Sequence, residues 1–365
     1  MSAIITPDQP NVPDELGHVH IDFFKCVGPL AHEPLGKTFF IHDPLMGMVP
    51  AGASAIKPRR PVGNTGSEPY LRSHKLGGQD GLAQELEISC CPGNVLQGHN
   101  VFGHGVLGDY VLDIFDREVE KHQIDVSLDD RELWDSGLVQ IHEVHLTANF
   151  WFDGDKLALF DLIDGRFQKS KQRPDKMWIT LGGALKRSAH HMLTIYCKHE
   201  QLKKLWSEVG PLKTQLLALA GQTIRVELKL YRAGLLARGL GTLRNWRAVD
   251  LDSLFFETMA KYNLAGAVQK QVPLHVAEKA LAKPYLRTYI AWQAGQEIES
   301  LYSSRATVLT HRKAILEAIG VDVSMRYCPD VDEALDLSHI FTPANIMALP
   351  GGALREERYH PPRQS

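Results

Sequence analysis

Residues 140–152 read QIHEVHLTANFWF. Apolar and polar side chains alternate here and β-branched and aromatic residues are frequent, so the stretch is a strand. Successive strand side chains point to opposite faces, which puts Glu143, His145 and Thr147 on one side and Val144, Leu146 and Ala148 on the other. The apolar side is expected to pack on helices, leaving the polar side to line a site. His142 is expected to point away from Glu143 and His145. A carboxylate and an imidazole two residues apart on one strand face can hold a divalent cation together, although the same pattern also describes a solvated sheet face.

Working outward, ELEIS (85–89) and TIRVELKLY (223–231) alternate in the same way and read as strands. GHVHIDFFKCVG (17–28) reads as a first strand with Ile21, Phe23 and Val27 apolar on one side. MWITLGG (177–183) and HHMLTIYCK (190–198) read as paired strands, or as a strand leading into a helix. The run 106–124 has helical periodicity, and 43–80, rich in Pro, Gly and Ser, reads as loop. Beyond about residue 250 the pattern is mostly helical. The chain is therefore α+β: a disordered lead-in (1–16), an antiparallel-sheet domain (17–247), a helical domain (250–345) and a flexible Pro/Gly/Arg-rich tail (350–365). Within the helical part, 296–302, an SSRA turn and 307–319 have the proportions of a helix-turn-helix. Its second helix is expected to turn Val308, Ile315, Leu316 and Ile319 to the core and to present Arg312 and Lys313 to DNA.

The 365 residues carry a net charge of −3, are 44% hydrophobic and 23% charged, and include five cysteines with no CxxC pair. This composition suits a globular protein of a reducing cytoplasm, with no signal peptide and no apolar run long enough for a membrane helix. Overall charge does not announce a nucleic-acid binder, but its distribution is uneven. Residues 166–204 hold ten Lys or Arg against two acids, among them Lys186, Arg187, Lys198, Lys203 and Lys204. Residues 225–247 hold six against one, Glu227. Such clustering favours a phosphate-binding surface, and it equally describes a solvated helix face.

Tyr196 lies inside the first basic run. A phenol with a pKa near ~10 is a poor nucleophile unless a cation stabilises its anion. Lys198 is the nearest such group, on the same side if the segment is extended; Lys203 or Lys204 would substitute if it is helical. Glu87 on ELEIS and His99 in the turn LQGHN would complete, with Glu143 and His145, a mixed oxygen and nitrogen site suited to Mg²⁺ or Mn²⁺. Glu227 shares a face with Arg225 and Lys229, as an ion pair or as a further metal or base group.

These segments carry a resemblance. PGNVLQGHNVFG (92–103), IHEVHLT (141–147), LTIYCKHE (193–200) and IRVELKL (224–230) resemble the gene II / gene X family of replication-initiation proteins, from filamentous phages and related plasmids or prophages. IDFFKCVGPL (21–30) is similar to that family's opening strand, and 289–323 to a C-terminal segment common in such initiators. The resemblance covers roughly residues 18–325 and implies a rolling-circle initiator with an HUH-like endonuclease domain. Such a protein nicks the plus strand at the origin, keeps a 5′-phosphotyrosine, leaves a 3′-OH as primer and rejoins the displaced strand. It implies Tyr196 as nucleophile, Mg²⁺ or Mn²⁺ as cofactor, and origin duplex, single strand and host replication machinery as partners. Related endonucleases carry His-hydrophobic-His on the metal strand. Here that position reads Glu143-Val144-His145, a departure that leaves a non-catalytic origin-binding or copy-control protein as the first alternative. A relaxase or transposase is the second.

Overall fold

The computed structural model describes residues 17–45, 47–56, 68–76, 81–166, 170–172, 176–181, 190–206, 210–262, 264, 272–325, 327, 337–349, 351 and 359–363. An eight-stranded antiparallel sheet runs in the order β4-β5-β1-β6-β10-β9-β8-β7, and β2 and β3 form a separate hairpin. The strands are β1 His20–His32, β2 Thr38–Asp43, β3 Gly47–Ala53, β4 Tyr70–His74, β5 Ala83–Cys90, β6 Gln140–Trp151, β7 Ser170–Gln172, β8 Trp178–Leu181, β9 His191–Tyr196 and β10 Thr223–Tyr231. The α+β expectation holds. β3 and β4 fall within the stretch read as loop, because the glycines and prolines around them mask the short alternation.

β6 sits between β1 and β10, and its apolar side does what its alternation requires. Val144, Leu146, Ala148 and Phe150 are fully buried, in register with Leu230, Leu228, Val226 and Ile224 of β10. The helix Leu107–Lys121 covers this side with Tyr110, Val111, Ile114 and Phe115. Glu143, His145 and Thr147 lie on the opposite side.

Two departures from strict alternation decide which side chains reach that opposite side. Ile21 pairs with Leu146 and Phe23 with His145, so Asp22 is an extra residue on β1. Cys26 pairs with Ile141 and Lys25 with Glu143, so His142 is an extra residue on β6. Each is a β-bulge, which re-aims the side chains around it. Ile21 stays in the core while Phe23 crosses to the polar side, its ring 4.6 Å from that of His145. His142, expected to point away, lies instead between the core residues Ile141 and Val144 on the same side as Glu143, where Arg232 bonds its ring.

The chain turns helical at residue 251 as expected, but its first helix belongs to the sheet's core. The helix Leu251–Ala260 buries Phe255 and Met259 in the sheet's core, and Leu337, Ile340, Phe341 and Ile346 return to that core. A self-contained helical core runs only from Val272 to Val323. There the first helix of the expected helix-turn-helix is a single turn, Ile298–Leu301, before the long helix Arg305–Ile319. Val308 and Ile315 face the core as expected and Ile319 packs against it, but Leu316 is exposed. The tail is not free at its described end. His360 bonds Asp113 at 2.8 Å and Arg363 reaches Asp109, Asp113 and Asp116, carboxylates that share one face of the helix Leu107–Lys121. Residues 1–16, the expected lead-in, lie outside the described residues. Among the described residues no helix is long and apolar enough to cross a membrane.

Candidate active site

Three clusters line the polar side of the sheet. At its centre His145 is gripped at both ring edges: Nε2 lies 2.7 Å from Glu143 and Nδ1 2.8 Å from Glu227, whose carboxylate also accepts from Lys229 at 3.1 Å. Burial opposes charge on His145, but the two carboxylates win and its pKa is raised. Burial likewise works to raise Glu227, and the bonds from His145 and Lys229 overcome it, holding the carboxyl well below its usual range. Glu227 is thus an ion-pair member at the heart of the face. Toward the β5 edge, Glu87 is paired with Lys25 at 2.9 Å and His74 at 3.3 Å.

The third cluster surrounds Tyr196. Tyr196 closes β9, opposite Arg225 on one side and Trp178 on the other. Its ring stacks on Trp178 at 4.1 Å, and the Arg225 guanidinium beside it favours its ionised form. Arg225, fully buried, also donates to Asn149 Oδ1 at 2.8 Å, to Asp22 at 3.3 Å and to the carbonyl of Val101. Cys197 then ends the strand and Lys198 opens the helix Lys198–Leu205. Its ammonium donates to Asn100 Oδ1 at 2.8 Å and Gln201 Oε1 at 2.9 Å, and Asn100 in turn donates to Asp22 at 2.8 Å. The strand-to-helix junction therefore leaves Tyr196 on the strand and Lys198 on the helix, with Asn100, Asp22 and Arg225 linking the ammonium to the cross-strand neighbour of Tyr196. Burial raises the Tyr196 phenol well above its ordinary value, and Arg225 opposes that shift. Burial, and then Arg225, lowers Lys198 to about 8.

Asp22, Asn100, Asn149 and Arg225 were not singled out as site residues. The bulge that aims Asp22 is invisible to a period-of-two reading. Asn100 belonged to a quoted segment in which only His99 drew attention.

The expected metal set does not converge. Among the described residues no three His, Cys, Asp or Glu side chains surround a point where an ion would sit. Glu143 and Glu227 hold opposite edges of one imidazole, so they cannot share an ion with it. Glu87 is engaged by Lys25 and His74, and His99 is buried with its ring edge-on to Phe102 at 4.6 Å. The expected DNA contacts separate as well. Lys186 and Arg187 lie outside the described residues. Lys203 and Lys204 are exposed in the last turn of the helix after Tyr196, with Lys203 3.4 Å from Glu200. Arg312 is committed to Asp322 through two hydrogen bonds of 2.8 and 2.7 Å and is not presented to DNA; Lys313 is exposed, 3.7 Å from Glu317.

An antiparallel sheet with this polar face, a tyrosine at a strand end and a helical appendage make up an α+β protein. Residues 67–248, which carry all three clusters' β5, β6, β9 and β10 members, match the family model for the N-terminal part of the replication-associated gene II protein of phages. The chain belongs with these gene II-type replication-associated proteins. Over 321 residues it is 25% identical to the replication-associated gene II protein of Enterobacteria phage I2-2, covering 84% of this chain and 88% of that relative. A solved structure described as a rolling circle replication initiator protein from Geobacillus stearothermophilus covers 67% of this chain and 84% of its own, at 11% identity and a TM-score of 0.30, a distant likeness.

Proposed function

We propose that this protein initiates rolling-circle DNA replication by nicking one strand at the origin, with Tyr196 as nucleophile. The observation that supports this reading is the phenol's setting: within the family-matched region, Tyr196 is the cross-strand neighbour of the buried Arg225, which is linked through Asp22 and Asn100 to the buried amine of Lys198. Neutral Lys198 accepts the phenol proton, the phenolate oxygen attacks the scissile phosphorus, and the P–O3′ bond breaks, the departing O3′ taking up a proton from water. The products are a 5′-phosphotyrosine and a 3′-OH able to prime synthesis. Attack of that hydroxyl on the phosphotyrosine reverses the step and rejoins the strand. Arg225 stabilises charge developing on the phosphoryl oxygens. Tyr196 is only 1% exposed, so binding of the strand opens the Trp178 corner before chemistry.

The donors present suit a hard cation in part. Glu143 and His145 offer one oxygen and one nitrogen side by side, and Mg²⁺ commonly takes one or two protein ligands with phosphate and water completing its shell. Mg²⁺ or Mn²⁺ held there would polarise the phosphate. The lack of a converging three-ligand set among the described residues favours the second reading, an origin-binding protein without catalysis.

One assay separates them. Supercoiled replicon DNA is incubated with the protein and Mg²⁺ or Mn²⁺, and nicked, protein-linked DNA is sought. Wild type should give the adduct and EDTA should suppress it. Tyr196→Phe should abolish it while origin binding persists. An adduct from the Phe variant would assign another nucleophile, and no adduct from wild type would leave the binding-only reading.

A further inference from the structure

The loop 97–102 anchors the two cations of the tyrosine corner. Asn100 accepts from Lys198 at 2.8 Å, and the carbonyl of Val101 accepts from Arg225 at 2.6 Å and from Asn149 at 2.8 Å. Gln97 closes this loop. Its amide nitrogen donates to the carbonyls of Phe102 at 2.7 Å and His99 at 3.2 Å. Its amide oxygen accepts the backbone N–H of His360 at 2.9 Å, from a segment 263 residues further along the chain. One side chain therefore ties the loop to itself and to the tail. Tyr359 adds an apolar contact, packing on a small core that holds Val101, Phe102 and Leu202, the last from the helix that Lys198 opens.

The tail is seated on charge. Asp109, Asp113 and Asp116 follow one another at i, i+4 and i+7 on the helix Leu107–Lys121, a spacing at which like charges repel and destabilise the helix. Arg363 relieves that repulsion. Its backbone N–H donates to Asp109 at 2.7 Å, and its guanidinium donates to Asp113 at 2.6 Å and Asp116 at 2.8 Å. His360 bonds Asp113 at 2.8 Å, and Arg131 also meets Asp116. Pro361 and Pro362 fix φ between His360 and Arg363, which lowers the entropy lost in holding both. Arg363 is 37% exposed, so its ion pairs respond to salt. The far end of the loop is held separately, because the N–H of His104 donates to Tyr110 and its carbonyl accepts from Ile21. Release of the tail therefore loosens the near end, at Gln97 and Asn100, and leaves the sheet intact. Lys198, 1% exposed with Asn100 on its ammonium, then regains water, and an amine that regains water returns toward the basicity of an exposed lysine.

We propose that residues 359–363 are a clip on the tyrosine corner, with Gln97 as the positioning residue through which the docked tail holds Asn100 on Lys198 and Val101 on Arg225. That the clip thereby tunes nicking rests on the function proposed above; its hold on Lys198 does not, and the test separates the two.

The full-length protein is treated with acetic anhydride at pH 8 and low salt, and acetylation of Lys198 is followed by mass spectrometry, with the exposed Lys313 as reference. Wild-type Lys198 should label slowly. Arg363→Ala removes the ion pairs without touching the loop, and Lys198 should then label about five- to thirtyfold faster, the scale of one or two released surface pairs. Arg363→Lys keeps the charge and should restore most of the protection. Gln97→Ala should match Arg363→Ala, and the double variant should add nothing, because both act through one contact. Wild type in about 1 M salt should behave as Arg363→Ala does, since the Debye length has fallen to about 3 Å. Where an adduct forms, its rise with pH should move upward in both single variants, a shift that loss of stability alone does not produce. Unchanged protection of Lys198 in Arg363→Ala and Gln97→Ala overturns the proposal. So does labelling that rises only in step with alkylation of Cys26, which is buried in the sheet's core and reports global unfolding. Unmasking of Lys198 in a protein that forms no adduct would support the clip and sink the nuclease. An adduct whose pH dependence ignores both variants, with Lys198 still protected, would sink the clip and leave the nuclease standing.

Discussion

Lys198→Met should cost catalysis without costing stability. Lys198 is 1% exposed and its ammonium donates to two neutral amide oxygens, those of Asn100 and Gln201; the carboxylate of Asp22 is reached through Asn100. Its depression from 10.5 to about 8 corresponds to roughly 3 kcal/mol opposing the charged form at neutral pH. Methionine removes that penalty and keeps most of the side chain's packing. It leaves the Asn100 oxygen without its donor, a loss of about 1–3 kcal/mol. The sum predicts a variant within about 2 kcal/mol of wild type at pH 7. The pH dependence is more diagnostic. Between about pH 8 and 10 the unfolded lysine holds a proton that the folded one has lost, so wild-type stability rises with pH across this window. The variant lacks that rise. Adduct formation, which should increase in wild type through pH 8, should fall about 10²–10⁴-fold in the variant. Urea midpoints at pH 7 and 9, with adduct yields at both, test this. A stability loss above about 3 kcal/mol at pH 7, or a midpoint difference that ignores pH, would refute the argument that Lys198 is a buried, weakly compensated amine.

His145→Gln should show a different pH signature. The raised His145 pKa means its ion-pair stabilisation is fully present below the unfolded value near ~6.5 and is lost as pH rises through the folded value, so the wild-type advantage should be larger at pH 5.5 than at pH 9; a constant gap in urea midpoints would count against the pair. Arg312→Ala should destabilise the 272–323 module by about 1–2 kcal/mol, because it strips the buried Asp322 of a half-exposed partner, and should leave the salt slope of duplex binding unchanged. Lys313→Ala, measured beside it, should leave stability unchanged and reduce the slope by about 0.9 if Lys313 meets a phosphate.

How far the sequence led depends on where alternation was regular. On β6 from Val144 to Phe150 and on β10 every other side chain enters the core, and both strands and their polar partners were legible. At Asp22 and His142 one inserted residue shifts the phase, so the anion that holds Arg225 and the orientation of His142 were lost. Tyr196 and Lys198 were singled out from one segment, but the turn at Cys197, which puts one on the strand and the other on the helix, was left by the sequence as either strand or helix. His99 and Glu87 illustrate the opposite error. Each is a plausible ligand by type, and each is committed to neighbours brought in by other elements: Phe102 for His99, Lys25 and His74 for Glu87. The single-turn helix at 298–301 escaped notice because its pattern continues through Tyr302, which instead bonds Thr288 of the helix Lys283–Gln293.

The local charge balance explains why a chain of net charge −3 can present a site for a phosphodiester. On the polar face Glu87 is matched by Lys25, and Glu143 and Glu227 by His145 and Lys229. Around Tyr196, Asp22 is the carboxylate that joins Arg225 and Lys198 in one hydrogen-bonded network, all three nearly inaccessible to water. That corner carries an excess positive charge in low dielectric, where a buried cation without its own counter-ion is unfavourable. An arriving phosphodiester compensates the excess, so interaction withheld in the free protein appears on binding and again as charge develops on the transferred phosphoryl group. Asp22→Asn should therefore tighten single-strand binding while lowering folding stability, since it raises the excess charge from one to two. Fluorescence anisotropy with a single-stranded oligonucleotide, beside urea unfolding, reads both effects. If binding weakened together with stability, Asp22 would be holding the DNA-binding geometry, and the uncompensated charge would not be what draws the phosphate in.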